Sequence, residues 1–201
     1  MALPRLIGIT GLAGVGKDTL ADHLVSTHGY HRYSLAGPIK ALLNARFGWT
    51  DAQWADRVWK ERPALASTFE YGGAAGVADP MYSPRQMAQW LGTEVGRTIG
   101  GPDVWLTLME SEWHRLNRRP GTVAARMVVP DVRFDNEARR IYALGGVVIR
   151  IIRPGTEPVN AHVSEKGVQD RFVNVEVIND DSVEVLINRA VTALLNTPRG
   201  A

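Results

Sequence analysis

Cysteine is absent from this 201-residue chain, and so are long apolar runs and any strong excess of one charge. The missing thiols exclude disulfides, thiolate metal sites and cysteine nucleophiles. No stretch approaches the roughly 20 apolar residues that span a bilayer, and the opening MALPRLIGIT lacks the layout of a signal peptide. A net charge of +2 without a basic run gives little support for nucleic-acid binding. We therefore expect a cytoplasmic protein that contacts neither membrane nor nucleic acid directly.

Apolar segments of strand length alternate with segments of helical periodicity along the chain. Strands are predicted at 6–10, 31–35, 123–129, 147–152 and 173–178, and helices at 19–26, 38–47, 84–99, 103–116, 135–144 and 183–194. The last helix follows Asp181 and Glu184, which are spaced as a capping box. This alternation predicts an α/β fold with a parallel sheet of about five strands and helices on both faces.

The alternation stops in the middle of the chain, where Trp, Gly and Ala are frequent. We predict a single domain with a core at 1–48 and 118–201 and a mostly helical insertion at about 49–117. A second irregular segment, at about 153–171, is predicted to be a lid. His162 and Glu165 fit polar residues of such a segment better than a metal site or an acid–base pair.

A glycine-rich loop, GLAGVGKDT at residues 11–19, follows the first predicted strand and opens the first predicted helix. Its Gly-x4-Gly-Lys spacing is typical of a phosphate-binding loop, in which backbone N–H groups point at phosphate oxygens and the lysine reaches the β and γ phosphates. The candidates are Gly11, Gly14, Val15, Gly16, Lys17, Asp18 and Thr19. An ordinary glycine-rich turn is the alternative, and the flanking strand and helix make it the weaker one.

Asp18 stands where phosphate loops usually carry a metal-binding hydroxyl. Mg²⁺ prefers hard oxygen ligands, so this carboxylate fits the ion directly or through water. A second carboxylate, Asp131, follows a buried strand at the carboxyl end of the predicted sheet, as a Walker B acid does. Arg133 is a candidate to contact the transferred phosphoryl group, although an ion pair with Asp135 or Glu137 explains its position equally well.

Polar side chains form a stripe along one helix predicted in the insertion. Gln86, Gln89, Thr93 and Arg97 fall within about one quarter of the helical wheel, opposite an apolar face. Amides can hydrogen-bond to the edges of a nucleobase, and the guanidinium of Arg85 or Arg97 can bind a phosphate. A solvated outer helix face is the alternative interpretation.

Lys40 lies just after the second predicted strand, in the segment YSLAGPIK at residues 33–40. The carboxyl ends of parallel strands face the ligand crevice in folds of this class. From its position alone, Lys40 is equally compatible with a ligand-binding lysine and with an exposed surface lysine.

Seven motifs occur in matching order over nearly the whole chain: GKDT, LAGPIK, SPRQMAQWLGTEVGR, VPDVRFDNEA, RPG, HVSE and INDDS. Together they resemble the bacteriophage deoxynucleoside monophosphate (dNMP) kinases, and the set is specific although no single motif is. The resemblance implies a three-layer P-loop NMP-kinase-like fold, transfer of the ATP γ-phosphoryl group to a dNMP with Mg²⁺, and a homodimer. Residues 49–82 match least.

The resemblance also divides the candidate residues by substrate. We assign Gly11, Gly14, Val15, Gly16, Lys17, Asp18, Thr19, Asn179 and Asp180 to ATP, the last two at the adenine end, and Lys40, Arg85, Gln86, Gln89, Thr93, Arg97 and Asp131 to the dNMP. The predicted catalytic residues are Lys17, Asp131 and Arg133. Mg²⁺ is assigned to Asp18, directly or through water, and to Asp131 through water.

Two other functions remain open at this point. A dephospho-coenzyme A kinase shares the P-loop architecture, but its acceptor is a hydroxyl and does not need a phosphate clamp such as Lys40 with Arg85. A P-loop ATPase switch acting on nucleic acid predicts ATP hydrolysis stimulated by DNA or a protein partner, and the near-neutral charge balance gives it little support.

Overall fold

The computed structural model describes residues 2–62, 82–118, 124–157 and 167–198. Within them lies a five-stranded parallel sheet with strand order β2-β3-β1-β4-β5. Its strands are β1 (Leu6–Thr10), β2 (His31–Arg32), β3 (Met127–Val129), β4 (Val147–Ile152) and β5 (Val175–Ile178). This architecture confirms the predicted α/β fold and its parallel sheet.

The described part of the chain also contains α-helices between and after these strands. They are α1 (Lys17–His28), α2 (Gly37–Phe47), α3 (Asp51–Ala55), α4 (Arg57–Glu61), α5 (Pro84–Trp90), α6 (Thr98–Gly100), α7 (Val104–Asn117), α8 (Asp135–Ala143) and α9 (Val183–Asn196). A short 3₁₀ helix spans Asp170–Phe172. The described part of the chain contains no helix that is both long and apolar enough to cross a membrane.

The central strand β1 is buried along its whole length because both of its faces are covered. On one face, Ile7 and Ile9 pack with apolar residues of α1 and α9. On the other face, Leu6 packs with apolar residues of α7 and α8. Alternate residues of a strand point to opposite faces, so a continuous apolar run fills both layers.

Strand β2 is shorter than predicted because its chain turns to a different hydrogen-bond partner. Tyr33 N still donates to Val128 O of β3, at 2.9 Å. The next donor in line, Leu35 N, instead bonds to the carboxylate of Asp131, at 2.9 Å. Beyond Tyr33 the chain therefore leaves the ladder, and its backbone and the Ser34 hydroxyl bind the Asp131 side chain instead.

The start of α9 also differs from the prediction. Ser182 is the N-cap residue, and its hydroxyl accepts a hydrogen bond from Val185 N. The carboxylate of Asp181 accepts from Ser182 N, at 2.6 Å. The predicted capping pair Asp181 and Glu184 was wrong by one residue, because serine also caps helices and stands directly at the first helical turn.

The helix predicted at 84–99 is not a uniform α-helix. It begins with α5, continues as a π-helix over Leu91–Arg97 and ends with α6. Gly92 lies in the π segment against Ile39 of α2, and a Cβ at this glycine would come within 2.7 Å of Ile39 Cδ1. A π-helix has more residues per turn than an α-helix, so an α-helical wheel misplaces side chains beyond residue 90.

The chain divides into two compact units, Met1–Leu35 with Trp105–Ala201, and Ala36–Val104. The first, here called the sheet unit, carries all strands listed above with α1, α8 and α9. The second, the helical unit, carries α2 to α6. Parts of the predicted insertion (63–81) and lid (158–166, with His162 and Glu165) lie outside the described residues, as does Val123. The division into a core and a substrate-binding insertion stays a prediction.

Candidate active site

The candidate residues fall into two sets, one in each unit. The sheet unit contains Gly11, Gly14, Val15, Gly16, Lys17, Asp18, Thr19, Asp131, Arg133, Asn179 and Asp180. The helical unit contains Lys40, Arg85, Gln86, Gln89, Thr93 and Arg97.

The glycines of the loop are required by its backbone and by its close neighbours. Gly11, Gly14 and Gly16 have φ angles of 135°, 81° and 107°, in the region that side chains disfavour. A Cβ on Gly11 would lie 2.3 Å from the carbonyl oxygen of Ile151, and one on Gly16 would lie 2.8 Å from Leu186. The loop therefore presents bare backbone, which is what close approach to a phosphate needs.

Lys17, the first residue of α1, points back into this loop. Its ammonium donates hydrogen bonds to the carbonyl oxygens of Gly11, at 2.7 Å, and of Leu12. Both acceptors are neutral, whereas phosphate oxygens carry negative charge and bind an ammonium more strongly. The Lys17 ammonium can therefore exchange these two carbonyl acceptors for the oxygens of a nucleotide phosphate bound in the loop.

Asn179 fastens the loop to the end of β5. Its side chain is buried, and its amide donates to the carbonyl oxygen of Val15, at 2.8 Å. Its backbone N–H donates to Ile152 O, also at 2.8 Å. Asn179 thus has a structural contact with the phosphate loop, while its assignment to the adenine end of the nucleotide stays a prediction.

Asp180 is exposed and paired. Arg189 of α9 donates to its carboxylate at 2.6 Å and to the carbonyl oxygen of Ile178 at 2.8 Å. The hydrogen bond from Arg189 lowers the pKa of the Asp180 carboxyl below its usual value. The carboxylate stays charged around neutral pH, and its proposed ATP contact stays a prediction.

Asp18 and Thr19 both belong to the first turn of α1. The Asp18 carboxylate forms an ion pair with Arg32, the last residue of β2, and Arg32 also pairs with Asp22 one turn further along the helix. The Asp18 side chain is 79% exposed. The negative charge of Asp18 is therefore balanced by Arg32, which was not among the residues predicted from the sequence.

Asp131 is held at the carboxyl end of β3 by two hydrogen bonds. The hydroxyl of Ser34 donates to one carboxylate oxygen at 2.6 Å, and Leu35 N donates to the other at 2.9 Å. Val132 N then bonds to Ile9 O at 3.2 Å, which keeps this turn beside the end of β1. Asp131 therefore lies at the same end of the sheet as the glycine-rich loop, while its role as a Walker B acid stays a prediction.

Tyr33 adjoins this carboxylate and stays protonated. Burial, together with the negative charges of Asp131 and Glu112, raises the pKa of Tyr33 to about 12. Its phenol is therefore neutral near pH 7 and adds no charge to the site.

The two acids near Arg133 have backbone partners. Buried Glu137 accepts hydrogen bonds from the backbone N–H groups of Arg133, at 2.7 Å, and Phe134, at 3.1 Å. Asp135 accepts from Gln169 N at 2.9 Å. The half-buried side chain of Arg133 lines a cleft of about 300 Å³ beside the loop, together with Arg150 and Arg153.

Arg150 was not expected from the sequence. It interrupts the apolar strand β4, its side chain is only 17% exposed, and it donates to Asp170 at 2.6 Å and Glu176 at 2.7 Å. It also donates to the carbonyl oxygen of Val168. These bonds tie the chain around the 3₁₀ helix to β4 at the wall of the cleft.

In the helical unit, the cationic side chains of Lys40 and Arg85 each contact a neighbouring side chain. The Lys40 ammonium lies 5.5 Å from the ring centre of Trp54, within the range of a cation–π contact. Trp54 is buried, and its indole N–H donates to Asn44 at 2.7 Å. Arg85 pairs with Glu61 at 2.5 Å, and its side chain is 14% exposed.

The predicted polar stripe is only partly preserved. Gln86 belongs to a capping box with Ser83, since its side-chain oxygen accepts from Ser83 N at 2.9 Å. Gln89 lies in α5, whereas Thr93 and Arg97 lie in the π-helix, where the α-helical spacing no longer holds. Arg97 donates to Pro102 O at 3.0 Å. Substrate contacts of these four residues stay predictions.

Comparison with known families now assigns the chain. The family model for deoxynucleotide monophosphate kinases matches residues 75–190, more than half of the sequence. The chain belongs to this family. The match covers the helical unit in part and β3, β4 and β5 of the sheet unit, and it begins after the phosphate loop.

Relatives in this family align along almost their whole length. The deoxynucleotide monophosphate kinase of Escherichia phage RB69 is 29% identical over 240 residues, covering 92% of this chain and 97% of the relative. That of Enterobacteria phage T4 is 24% identical over 241 residues, with 94% and 98% covered. A solved dephospho-CoA kinase from Campylobacter jejuni is 12% identical, with a TM-score of 0.48 and 95% and 96% covered. At that score the likeness does not bear on the choice of acceptor.

Within this kinase family member, sequence reasoning missed three residues that the fold brings to the site. Ser34 orients Asp131, Arg32 pairs with Asp18, and Arg150 lines the cleft. An arginine inside the apolar run VVIRII was a usable signal for Arg150, because a buried guanidinium needs partners. Ser34 and Arg32 left no such signal, since both lie in a short segment of mixed polarity.

Proposed function

We propose that this chain transfers the γ-phosphoryl group of ATP to a deoxynucleoside monophosphate, giving a dNDP and ADP. One observation carries the proposal: the Lys17 ammonium points into a loop of positive-φ glycines that follows β1, and the Asp131 carboxylate is fixed at the end of the neighbouring strand β3. Membership of the deoxynucleotide monophosphate kinase family supports the choice of acceptor.

The loop binds the donor phosphates in this proposal. Backbone N–H groups from Gly11 to Gly16 surround the β-phosphate, and the N-terminus of α1 adds the favourable end of its dipole. Lys17 leaves the carbonyl oxygens of Gly11 and Leu12 for the β and γ phosphates. Asn179 and Asp180 lie toward the adenine end, where Asn179 also braces the loop.

The carboxylates present fit Mg²⁺ as part of its ligand shell. Asp18 and Asp131 supply hard oxygen atoms, and Thr19 supplies a hydroxyl in the first turn of α1. No group of three or more His, Asp or Glu side chains that could hold a metal occurs among the described residues. Mg²⁺ sites that rely on one or two carboxylates are completed by substrate phosphates and water. Bound there, the ion would neutralise phosphate charge.

The helical unit binds the acceptor. Lys40 and Arg85 hold the dNMP phosphate, while Gln86, Gln89, Thr93 and Arg97 contribute to the nucleoside pocket. The packing of Lys40 on Trp54 supports this role, because an ammonium anchored on an aromatic face keeps its N–H groups available to an anion. Arg85 then exchanges Glu61 for the acceptor phosphate.

Phosphoryl transfer needs positioning and charge neutralisation rather than a covalent enzyme intermediate. In the proposal, Lys17 and Arg133 neutralise charge on the transferred group, and Asp131 stands between donor and acceptor. Ser34 and Leu35 keep the Asp131 carboxylate in one orientation, so little reorganisation is needed at the moment of transfer.

The proposal has three further parts, of which the first rests on the family resemblance and the other two on charge balance and on the lack of a signal-peptide layout. The chain acts as a homodimer, it needs no nucleic acid, and it works in the cytoplasm of the host cell, where ATP and dNMPs occur. Each is open to a separate test, by solution mass, by DNA addition and by fractionation.

The experiment that tests the function is a panel of acceptors. ADP formation from ATP and Mg²⁺ is measured with dAMP, dGMP, dCMP, dTMP and a hydroxymethylated pyrimidine monophosphate, beside dephospho-coenzyme A and DNA alone. We expect turnover with at least one dNMP and none with the last two. Lys17→Ala serves as the inactive control, with an expected loss of about 10³-fold because a cation that neutralises the transferred group is removed. Activity with dephospho-coenzyme A or DNA but with no dNMP would overturn the proposal.

A further inference from the structure

The carboxylate of Asp18 raises an electrostatic difficulty for a phosphate-binding loop. It stands next to Lys17, in the first turn of the helix whose N-terminus faces the proposed phosphates. A fixed negative charge near a polyanion weakens its binding, and the repulsion is larger at a protein surface than in bulk water. A working loop with this residue therefore needs a compensating charge.

Arg32 supplies that charge from a neighbouring element. One terminal guanidinium nitrogen binds Asp18 Oδ1 and the other binds Asp22 Oδ1. The two acids are four residues apart on α1, so they lie on one helix face and both reach the arginine. Arg32 is the last residue of β2, so the sheet fixes the backbone position from which its side chain reaches Asp18.

The degree of exposure separates this role from plain stabilisation. The Asp18 and Asp22 side chains are 79% and 70% exposed, and Arg32 is 35% exposed. Exposed ion pairs contribute little to folding stability. We therefore expect the fold to depend little on this pair, whose charge lies beside the proposed site for a highly charged ligand.

We propose that Arg32 is a positioning residue that makes the Asp18 carboxylate compatible with ATP: it holds and neutralises that carboxylate without touching the nucleotide. The inference rests on the proposed ATP site. It assigns the unusual Gly-Lys-Asp loop a partner residue outside the loop. Arg32 should then matter for ATP binding only while residue 18 carries a negative charge.

A double-mutant cycle on ATP binding tests this dependence without turnover. The Kd of ATP is measured by titration calorimetry without an acceptor, once with Mg²⁺ and once with EDTA, for the wild type, R32Q, D18N and D18N/R32Q. With EDTA, where no ion compensates Asp18, we expect R32Q to weaken binding about tenfold, a typical size for one uncompensated charge at a surface site. With Mg²⁺ the loss should be smaller, because the ion neutralises part of the same charge. In the D18N background the same change should alter the Kd less than about twofold.

Three controls accompany the cycle. R32K keeps the positive charge and should bind ATP within about threefold of the wild type, losing only the paired geometry of the guanidinium. D22N removes the other partner of Arg32 and should leave the Kd unchanged. The melting temperature of R32Q should stay within about 3 °C of the wild-type value, because the pair is exposed.

The outcomes distinguish this inference from the proposed function. An equal loss of affinity in both backgrounds would mean that Arg32 contacts the nucleotide itself and would overturn the inference. Unchanged affinity in R32Q, or loss of its folded state, would overturn it as well. If the wild type itself does not bind ATP, the proposed function fails first and the inference fails with it.

Discussion

The sheet unit and the helical unit hold their candidate residues in different ways. In the sheet unit, backbone groups and short side chains fix Asp131 and the loop: Leu35 N and Ser34 hold Asp131, and Asn179 holds the loop at Val15. In the helical unit, long side chains rest on one another, as Lys40 does on Trp54.

This difference matches the two tasks that we propose. Phosphoryl transfer from ATP needs donors fixed in one geometry, because their reorganisation would add to the barrier. An acceptor pocket must fit a particular nucleoside, and long flexible side chains can be rearranged without moving backbone. Changes in the sheet unit should therefore affect chemistry or the ATP loop, whereas changes in the helical unit should affect the use of the acceptor.

Among three substitutions that test this comparison, the largest effect is expected for Arg133, whose side chain lines the cleft beside the loop. Arg133→Ala should lower kcat by about 10²-fold while leaving the Kd of ATP nearly unchanged, because the charge it neutralises develops in the transition state. Steady-state kinetics and ATP titration measure the two quantities. Arg139→Ala, an exposed arginine of α8, is the matched control. Equal losses in kcat and ATP affinity would contradict this role.

An intermediate effect is expected for Lys40 in the helical unit. Lys40→Ala should raise the KM for the dNMP about tenfold or more, because a charge-assisted hydrogen bond to the acceptor phosphate is lost. The KM for ATP should not change. Lys60→Ala, a lysine of α4 in the same unit, should leave both values near the wild type. An increase in the KM for ATP instead of the KM for the dNMP would contradict the proposed division of tasks between the two units.

The smallest effect on turnover is expected for Asn179, which braces the loop. Asn179→Ala should lower the free energy of unfolding by about 1–3 kcal/mol, because the buried carbonyl of Val15 loses its donor. ATP affinity should fall a few-fold as the loop loosens. Denaturant unfolding and ATP titration check both, and exposed Asn188→Ala should change stability by less than about 0.5 kcal/mol. A variant as stable as the wild type would show that the bond does not hold the loop.

Local signals predicted the elements of the sheet unit well. The strand at 147–152 agrees with β4, and the first strand agrees with β1, because continuous apolar runs are buried on both sheet faces. The helix at 84–99 was predicted less well, because it changes to π geometry at Leu91–Arg97. Gly92, which packs against Ile39, lies in this π segment. A pattern read with a fixed period cannot detect that change.

The sequence by itself determined the glycine-rich loop with the spacing of a phosphate loop, the alternation of strands and helices, and the family. These depend on local rules: glycine spacing sets which backbone angles are reachable, and apolar periodicity sets which faces are buried. Only the tertiary structure decided which side chains complete the site. Arg32 meets Asp18 across 14 residues and Ser34 meets Asp131 across 97, because parallel strands bring their carboxyl ends to one edge. No local pattern records such a pairing, since it depends on the order of strands in the sheet.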